Sequence, residues 1–383
     1  MLSATTFQGS ILEPIYENEY IRPFEPEESV QVFRYFTPFA KVPQIFSFIK
    51  QFSMERKDAP AKIRSIYFGK TAIGAGGENR IFPVAFRGKK GGLKFAVAVV
   101  AKNEGKIVSN FVEKALVQYP QKDEPIIMKT WLGHDPKICD PTQKIIIRTF
   151  TPHGDCHKYL QKNPGADKIQ LSHQLVRKYV RFWQLGWVHR DIKLENILVD
   201  KNGDATLTDF GFSQKYAPGI HKITKGTPFA YPPEYRKGID LLKADFYAFG
   251  VMLIDMWNPQ FIDTAPKGRS IYEEIENCQR HIQSNKDKIL HNIPDRNLRA
   301  FVERMLFNYQ KTSLEDVAAY AKNQQLPMEE IVESLISVHI DSTEDPYGMP
   351  DVRVEPQEGP RNVNGGNWLN DSGAAFFGQD FEL

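Results

Sequence analysis

An α+β fold in two lobes, a small strand-rich one followed by a larger helical one, is predicted by three observations. Five β-rich runs, Ile63–Ile73, Ile81–Phe86, Leu93–Ala101, Ile126–Leu132 and Lys144–Phe150, follow one another with Gly, Lys and Pro turns between them. After Pro152 the apolar spacing lengthens, and Leu171, Leu175, Tyr179 and Trp183 recur at i+4 along one helix. A length of 383 residues can hold one large domain or two to three ordinary ones, and an apolar share of 41% supplies a sizeable core.

Each segment has its own signal. Residues 1–62 read as an extension, partly helical, with Glu27–Phe36 and Gln44–Met54 as amphipathic helices. The second carries Ile45, Phe48, Ile49 and Phe52 at helical spacing. The strand lobe runs over 63–150, interrupted by a helix over Ser109–Val117 that Ser109 can cap. In the helical lobe, 151–325, a hairpin joins Ile197–Val199 to Ala205–Thr208 through Asn202-Gly203. Further helices are expected over 245–257, 270–283, 296–308 and 313–322. A C-terminal helix over 326–340 places Met328, Ile331, Leu335 and Val338 on one side. In 341–383, nine acidic residues face two arginines among Pro, Gly and Asn, the composition of a disordered acidic tail.

The bulk properties narrow the function. A net charge of +2 argues against a nucleic-acid partner. The most apolar window, Phe246 to Trp257, contains Asp255 and is too short to cross a membrane, so no membrane insertion is expected. Cys139, Cys156 and Cys278 are scattered, without a CxxC pair, as expected of reduced thiols in a cytoplasmic protein. That cytoplasm is a host's if the protein is a delivered effector.

The chemistry concentrates in His189-Arg190-Asp191-Ile192-Lys193-Leu194-Glu195-Asn196, with Asp209-Phe210-Gly211 following the hairpin. These two motifs, in this order, resemble those of the eukaryotic-type Ser/Thr protein kinase family. The resemblance implies a two-lobed protein-kinase-like fold with ATP and Mg²⁺ in the cleft between lobes. Phosphoryl transfer needs positioned charge more than covalent participation by the protein. A carboxylate beside the attacking hydroxyl, Asp191, orients it and takes its proton. Asn196 and Asp209 offer the hard oxygens that magnesium prefers, and Lys193 neutralises the transferred phosphoryl group.

Weaker landmarks fall in the order the family requires. Ile73, Gly74, Gly76 and Gly77, with Ile81 on the next strand, resemble the glycine-rich phosphate cover, although Asn79 replaces its third glycine. Lys102 resembles the lysine that grips the α- and β-phosphates, with Glu113 as its ion-pair partner. Backbone groups of Thr149 and Thr151 resemble the hinge that reads adenine, and Arg148 falls at the adjoining gatekeeper position. Thr227, in Gly226–Glu234, is expected to hydrogen-bond Asp191 and Lys193, which the resemblance ties to Ser/Thr acceptors. Glu234 usually pairs with a buried arginine, a position held here by Lys311. Asp245 is expected to brace the catalytic loop. Thr224 is a candidate phosphorylation site that would give Arg190 a counter-anion.

The function implied is transfer of the γ-phosphate of ATP to a protein hydroxyl, with a regulatory partner reached through the extension or the tail. Two readings compete: a pseudokinase that binds nucleotide or partners without catalysis, and a small-molecule phosphotransferase sharing the Asp–Asn–Asp set. Lys193 and the Gly226–Glu234 loop favour a protein acceptor.

Overall fold

The computed structural model describes residues 24–39, 46–56, 59–75, 79–88, 92–101, 112, 115–116, 125–134 and 145–323. Gly76, Gly77, Lys102, Glu113, the helix expected over 326–340 and the tail over 341–383 lie outside the described residues. Of the helix expected over 109–117, only Val112, Ala115 and Leu116 are described, and Val112 and Leu116 are buried.

Helix α1 (Pro26–Phe36) begins with proline in its first turn and a reciprocal cap between Glu25 and Glu28. Strands β1 (Phe46–Arg56), β2 (Ala59–Gly69), β3 (Gly74–Ala75), β4 (Asn79–Arg87), β5 (Leu93–Ala101), β6 (Thr130–His134) and β7 (Ile145–Thr149) form one antiparallel sheet. Its order is β2-β1-β6-β7-β5-β4-β3, and an extra pairing of β2 with β4 closes it into a barrel. Phe52, Ile66, Phe68, Val84, Phe86, Ala96, Ala98, Ile145 and Ile147 fill the interior, one side of each strand, as the period of two requires.

Two expectations for this lobe are corrected. Gln44–Met54 is not a helix, because 46–56 is strand β1. Its ladder to β2 shifts register between Ile49 and Phe52, where one extra residue on β1 breaks the alternation. That bulge is why the apolar residues mimic a helical period. The strand lobe also does not begin at residue 63, since β1 and most of the β1–β2 hairpin precede it and β1 pairs with β6.

Closure leaves no room at Gly133, whose Cβ would lie 2.0 Å from the ring of Phe52, itself fully buried. Gly133→Ala is therefore expected to cost about 1–3 kcal/mol by overpacking. Chemical denaturation that shows unchanged stability would refute this packing.

Helix α1 lies on the outer face of the barrel. Val32 and Phe36 are buried there against Ala85, with Tyr67, Phe95 and Phe150 around them. Tyr35 stacks on Phe95 at 3.9 Å, and Phe36 meets Phe150 edge-on at 5.6 Å. Arg87, nearly fully buried, donates its Nε to Glu28 at 3.2 Å and packs over the Phe24 ring.

The helical lobe follows the expected pattern. It comprises α2 (Cys156–Lys162), α3 (Lys168–Gln184), β8 (Trp187–Val188), β9 (Ile197–Val199), β10 (Ala205–Leu207) and β11 (Gln214–Lys215). After these come α4 (Leu241–Trp257), α5 (Ile271–Ser284), α6 (Lys286–His291), α7 (Arg296–Phe307) and α8 (Leu314–Asn323). Short α2 and short α6 are the helices for which the sequence reading gives no bounds. Leu171, Leu175, Tyr179 and Trp183 are all buried along α3. Helix α4, apolar on every side, runs through the core.

Candidate active site

The segment between β8 and β9 is pinned from below by one carboxylate. Asp245, on α4 and 1% exposed, accepts the backbone N–H of His189 at 2.6 Å, that of Arg190 at 2.9 Å and the indole N–H of Trp183 at 3.0 Å. These bonds hold Arg190 in the left-handed region, at φ 67°. Burial pushes the Asp245 carboxyl above its ordinary range, against the pull of the three donors. His189 is fully buried, its ring 5.2 Å from that of Phe210, which is also fully buried.

Above this anchor four predicted residues converge. Thr227 donates its hydroxyl to Asp191 Oδ1 at 2.6 Å, and Lys193 Nζ lies 3.1 Å from Thr227 Oγ1 and 3.0 Å from Asp191 Oδ2. Asn196 Nδ2 donates to both Asp191 Oδ2 and the Asp191 carbonyl at 2.8 Å. Burial raises the Asp191 pKa, but the Lys193 charge and hydrogen bonds from Thr227 and Lys193 outweigh it, so the carboxyl sits below its ordinary value. Asp191 is thus an anion at neutral pH with a hydroxyl already docked on it.

The same contacts orient Asn196 for a metal. Its amide nitrogen is committed to Asp191, so the polar atom it has left to offer is the hard oxygen Oδ1. Asp209 is exposed, at φ 57°, and adds a carboxylate. This donor set suits a magnesium ion.

Thr227 reaches Asp191 because Gly226 closes on the segment between β8 and β9. At φ 112° a Cβ there would lie 2.2 Å from the Arg190 carbonyl oxygen, so only glycine fits. Downstream, Glu234 is braced by the Tyr309 hydroxyl, while Lys311, at the expected arginine position, is exposed. The brace exists, but a phenol makes it. Tyr309→Phe should cost about 1–3 kcal/mol and speed proteolytic cleavage between Gly211 and Glu234; unchanged cleavage kinetics would contradict it.

Arg190 Nη1 donates to Gln214 Oε1 at 2.6 Å, a neutral amide on β11. Thr224 is exposed, whereas Ser213 is buried with its hydroxyl on the His189 carbonyl.

The strand-lobe candidates occupy the other side. Gly74 pairs with Ile81 across the β3–β4 hairpin, and Ile73 donates its N–H to the Ile81 carbonyl at 2.8 Å. Thr149 ends β7 with its N–H on the Lys129 carbonyl, and buried Thr151 begins the turn closed by Gly154. Sequence reasoning missed one residue between the lobes: Thr208, before Asp209, accepts a hydrogen bond from Arg148. Its position next to the Asp209 motif is the signal that could have found it.

Comparison with known proteins agrees with this geometry. The family described as Protein kinase domain matches residues 73–318, well over half of the chain. The cAMP-dependent protein kinase catalytic subunit PRKX of Mus musculus is 29% identical over 174 residues, covering 44% of this chain and 46% of that protein. The cAMP-dependent protein kinase type 3 of Saccharomyces cerevisiae is 30% identical over 169 residues, 40% of this chain and 39% of its own. The CBL-interacting serine/threonine-protein kinase 20 of Arabidopsis thaliana is 37% identical over 115 residues, a quarter of each. The chain thus spans less than half the length of these relatives. With the two-lobed α+β architecture and the family match together, the chain belongs to the protein kinase family.

Proposed function

We propose that the chain is a catalytically active Ser/Thr protein kinase that transfers the γ-phosphate of ATP to a protein hydroxyl. The observation that carries this reading is the Asp191–Lys193–Thr227 triangle, with Asn196 behind it. Asp191 accepts a hydroxyl proton at Oδ1, and Thr227 occupies that position in the structure. An acceptor serine or threonine presents the same chemistry to the same oxygen. Lys193 holds positive charge within 3.1 Å of that hydroxyl, where negative charge develops during transfer. Asn196 fixes the carboxylate from the other side, so that one oxygen faces the acceptor. ATP with Mg²⁺ supplies the phosphoryl group and neutralises its charge, and Asn196 and Asp209 are the residues that would hold the metal.

Ile73, Gly74, Ile81, Thr149 and Thr151 are assigned to the nucleotide, together with Gly76, Gly77, Lys102 and Glu113. The substrate class proposed is a protein, and the scattered spacing of Cys139, Cys156 and Cys278 supports a cytoplasmic setting. The test is Asp209→Ala in the full chain, assayed with labelled ATP on a generic basic protein. Loss of transfer by about 10²–10³-fold is expected from the removal of a charge-positioning group. Near wild-type transfer would overturn the assignment. Mg²⁺-dependent ATP binding with no transfer by the wild type would select the pseudokinase reading instead. Among the described residues no helix is long and apolar enough to cross a membrane.

A further inference from the structure

Arg148 sits on β7 opposite Val97 of β5 and Thr130 of β6, and cross-strand partners share a face. From that face its guanidinium leaves the strand lobe and donates Nη1 to the hydroxyl of Thr208 in the helical lobe. Thr208 is 6% exposed and tied down on every polar atom. Its N–H donates to the Asn196 carbonyl at 3.0 Å, and its carbonyl lies 3.2 Å from His189 Nε2. One neighbour in sequence is Asp209, whose φ of 57° is costly for a residue with a side chain. Such a conformation persists only where the surroundings over-determine it, and from the strand lobe Arg148 holds the Thr208 hydroxyl while the Ile126 carbonyl accepts the Leu207 N–H at 2.8 Å.

We infer that Arg148 is a positioning residue for the metal-binding carboxylate: its grip on Thr208 Oγ1 holds Asp209 in its left-handed conformation and so sets the affinity for magnesium with nucleotide. The inference rests on the kinase reading, because it gives Asp209 the metal. The contact joins the strand that leads into the hinge to the loop that presents the metal ligand. A charged donor on a buried hydroxyl is the stronger kind of hydrogen bond.

The experiment is calorimetric titration of the full chain with ATP, at fixed excess Mg²⁺ and again in EDTA. Arg148→Leu and the near-isosteric Thr208→Val are each expected to weaken binding in Mg²⁺ about tenfold, the size of one lost charge-assisted bond. Binding in EDTA should change by less than about twofold, since the base and backbone contacts remain. The double variant should be no weaker than either single one, because both remove the same contact. Thr208→Ser keeps the acceptor and should restore the wild-type Mg²⁺ dependence.

Three results would overturn the inference: single variants within twofold of wild type, equal losses with and without Mg²⁺, or losses that multiply in the double variant. Failure of the kinase reading looks different, since the wild type itself would then show no Mg²⁺-dependent nucleotide binding.

Discussion

Asp191→Asn is expected to lower the transfer rate constant by roughly 10²–10⁴-fold, the range of a lost general base, with little change in the apparent affinity for ATP. The substitution keeps size and shape but turns one carboxylate oxygen into a donor. Lys193 and Asn196 both aim donors at Oδ2, and Thr227 aims its hydroxyl at Oδ1. With the amide nitrogen at the Oδ2 position, a donor faces two donors. With it at the Oδ1 position, the Thr227 hydroxyl must turn and accept, so the hydroxyl docked on Oδ1 loses its acceptor. A stability loss of about 0.5–1.5 kcal/mol accompanies the catalytic one. The pH dependence follows from the same contacts. The Asp191 carboxyl is held below its ordinary value, about 3.9, so it stays ionised throughout the neutral range. A depressed carboxyl contributes stability that is fully present above the unfolded value and is lost as pH falls through the folded one. The pH profile of kcat/KM should therefore show no acid limb from this group between pH 5 and 8. A limb near pH 6 that disappears in Asp191→Asn would contradict the geometry.

Asp245→Ala is expected to destabilise the helical lobe by about 3–5 kcal/mol, among the largest effects of any single substitution. Three donors, the N–H groups of His189 and Arg190 and the indole of Trp183, lose their acceptor where little water reaches. The loss also touches the chemistry, because Arg190 immediately precedes Asp191 and depends on that acceptor for its left-handed backbone. Asp245→Asn keeps the volume and one acceptor oxygen and should fall between. Denaturant unfolding of the three proteins, with kcat measured where each remains folded, checks both parts. An alanine variant within 1 kcal/mol of wild type would show that the loop holds itself.

The parts legible in the sequence were those whose chemistry is contiguous. Residues 189–196 and 209–211 carry the resemblance to the protein kinase family in short local motifs, and the structure brings Asp191, Lys193, Asn196 and Thr227 within hydrogen-bonding distance. The α3 stripe and the β9–β10 hairpin were legible because periodicity and turn chemistry agree with the fold. What escaped was set by tertiary partners. Strand β1 reads as a helix because its bulge scrambles the alternation, and pairing with β2 and β6 overrides local propensity. The Glu234 brace moved to Tyr309, two positions from where a motif count places it, because any donor at the right point in space serves. Arg148 and Thr208 are sixty residues apart, and no local pattern links them.

The closed barrel separates the segment that is recognisable as a kinase from the segment that folds. The family match begins at residue 73, after α1, β1 and β2 have already been made. A protein trimmed to that boundary would strip one neighbour from β4 and one from β6, baring two rows of backbone amides and carbonyls. It would also leave the Ala85 face without its helical cover and Arg87 without Glu28. The residues that complete the ring of strands therefore precede those that identify the chain as a protein kinase.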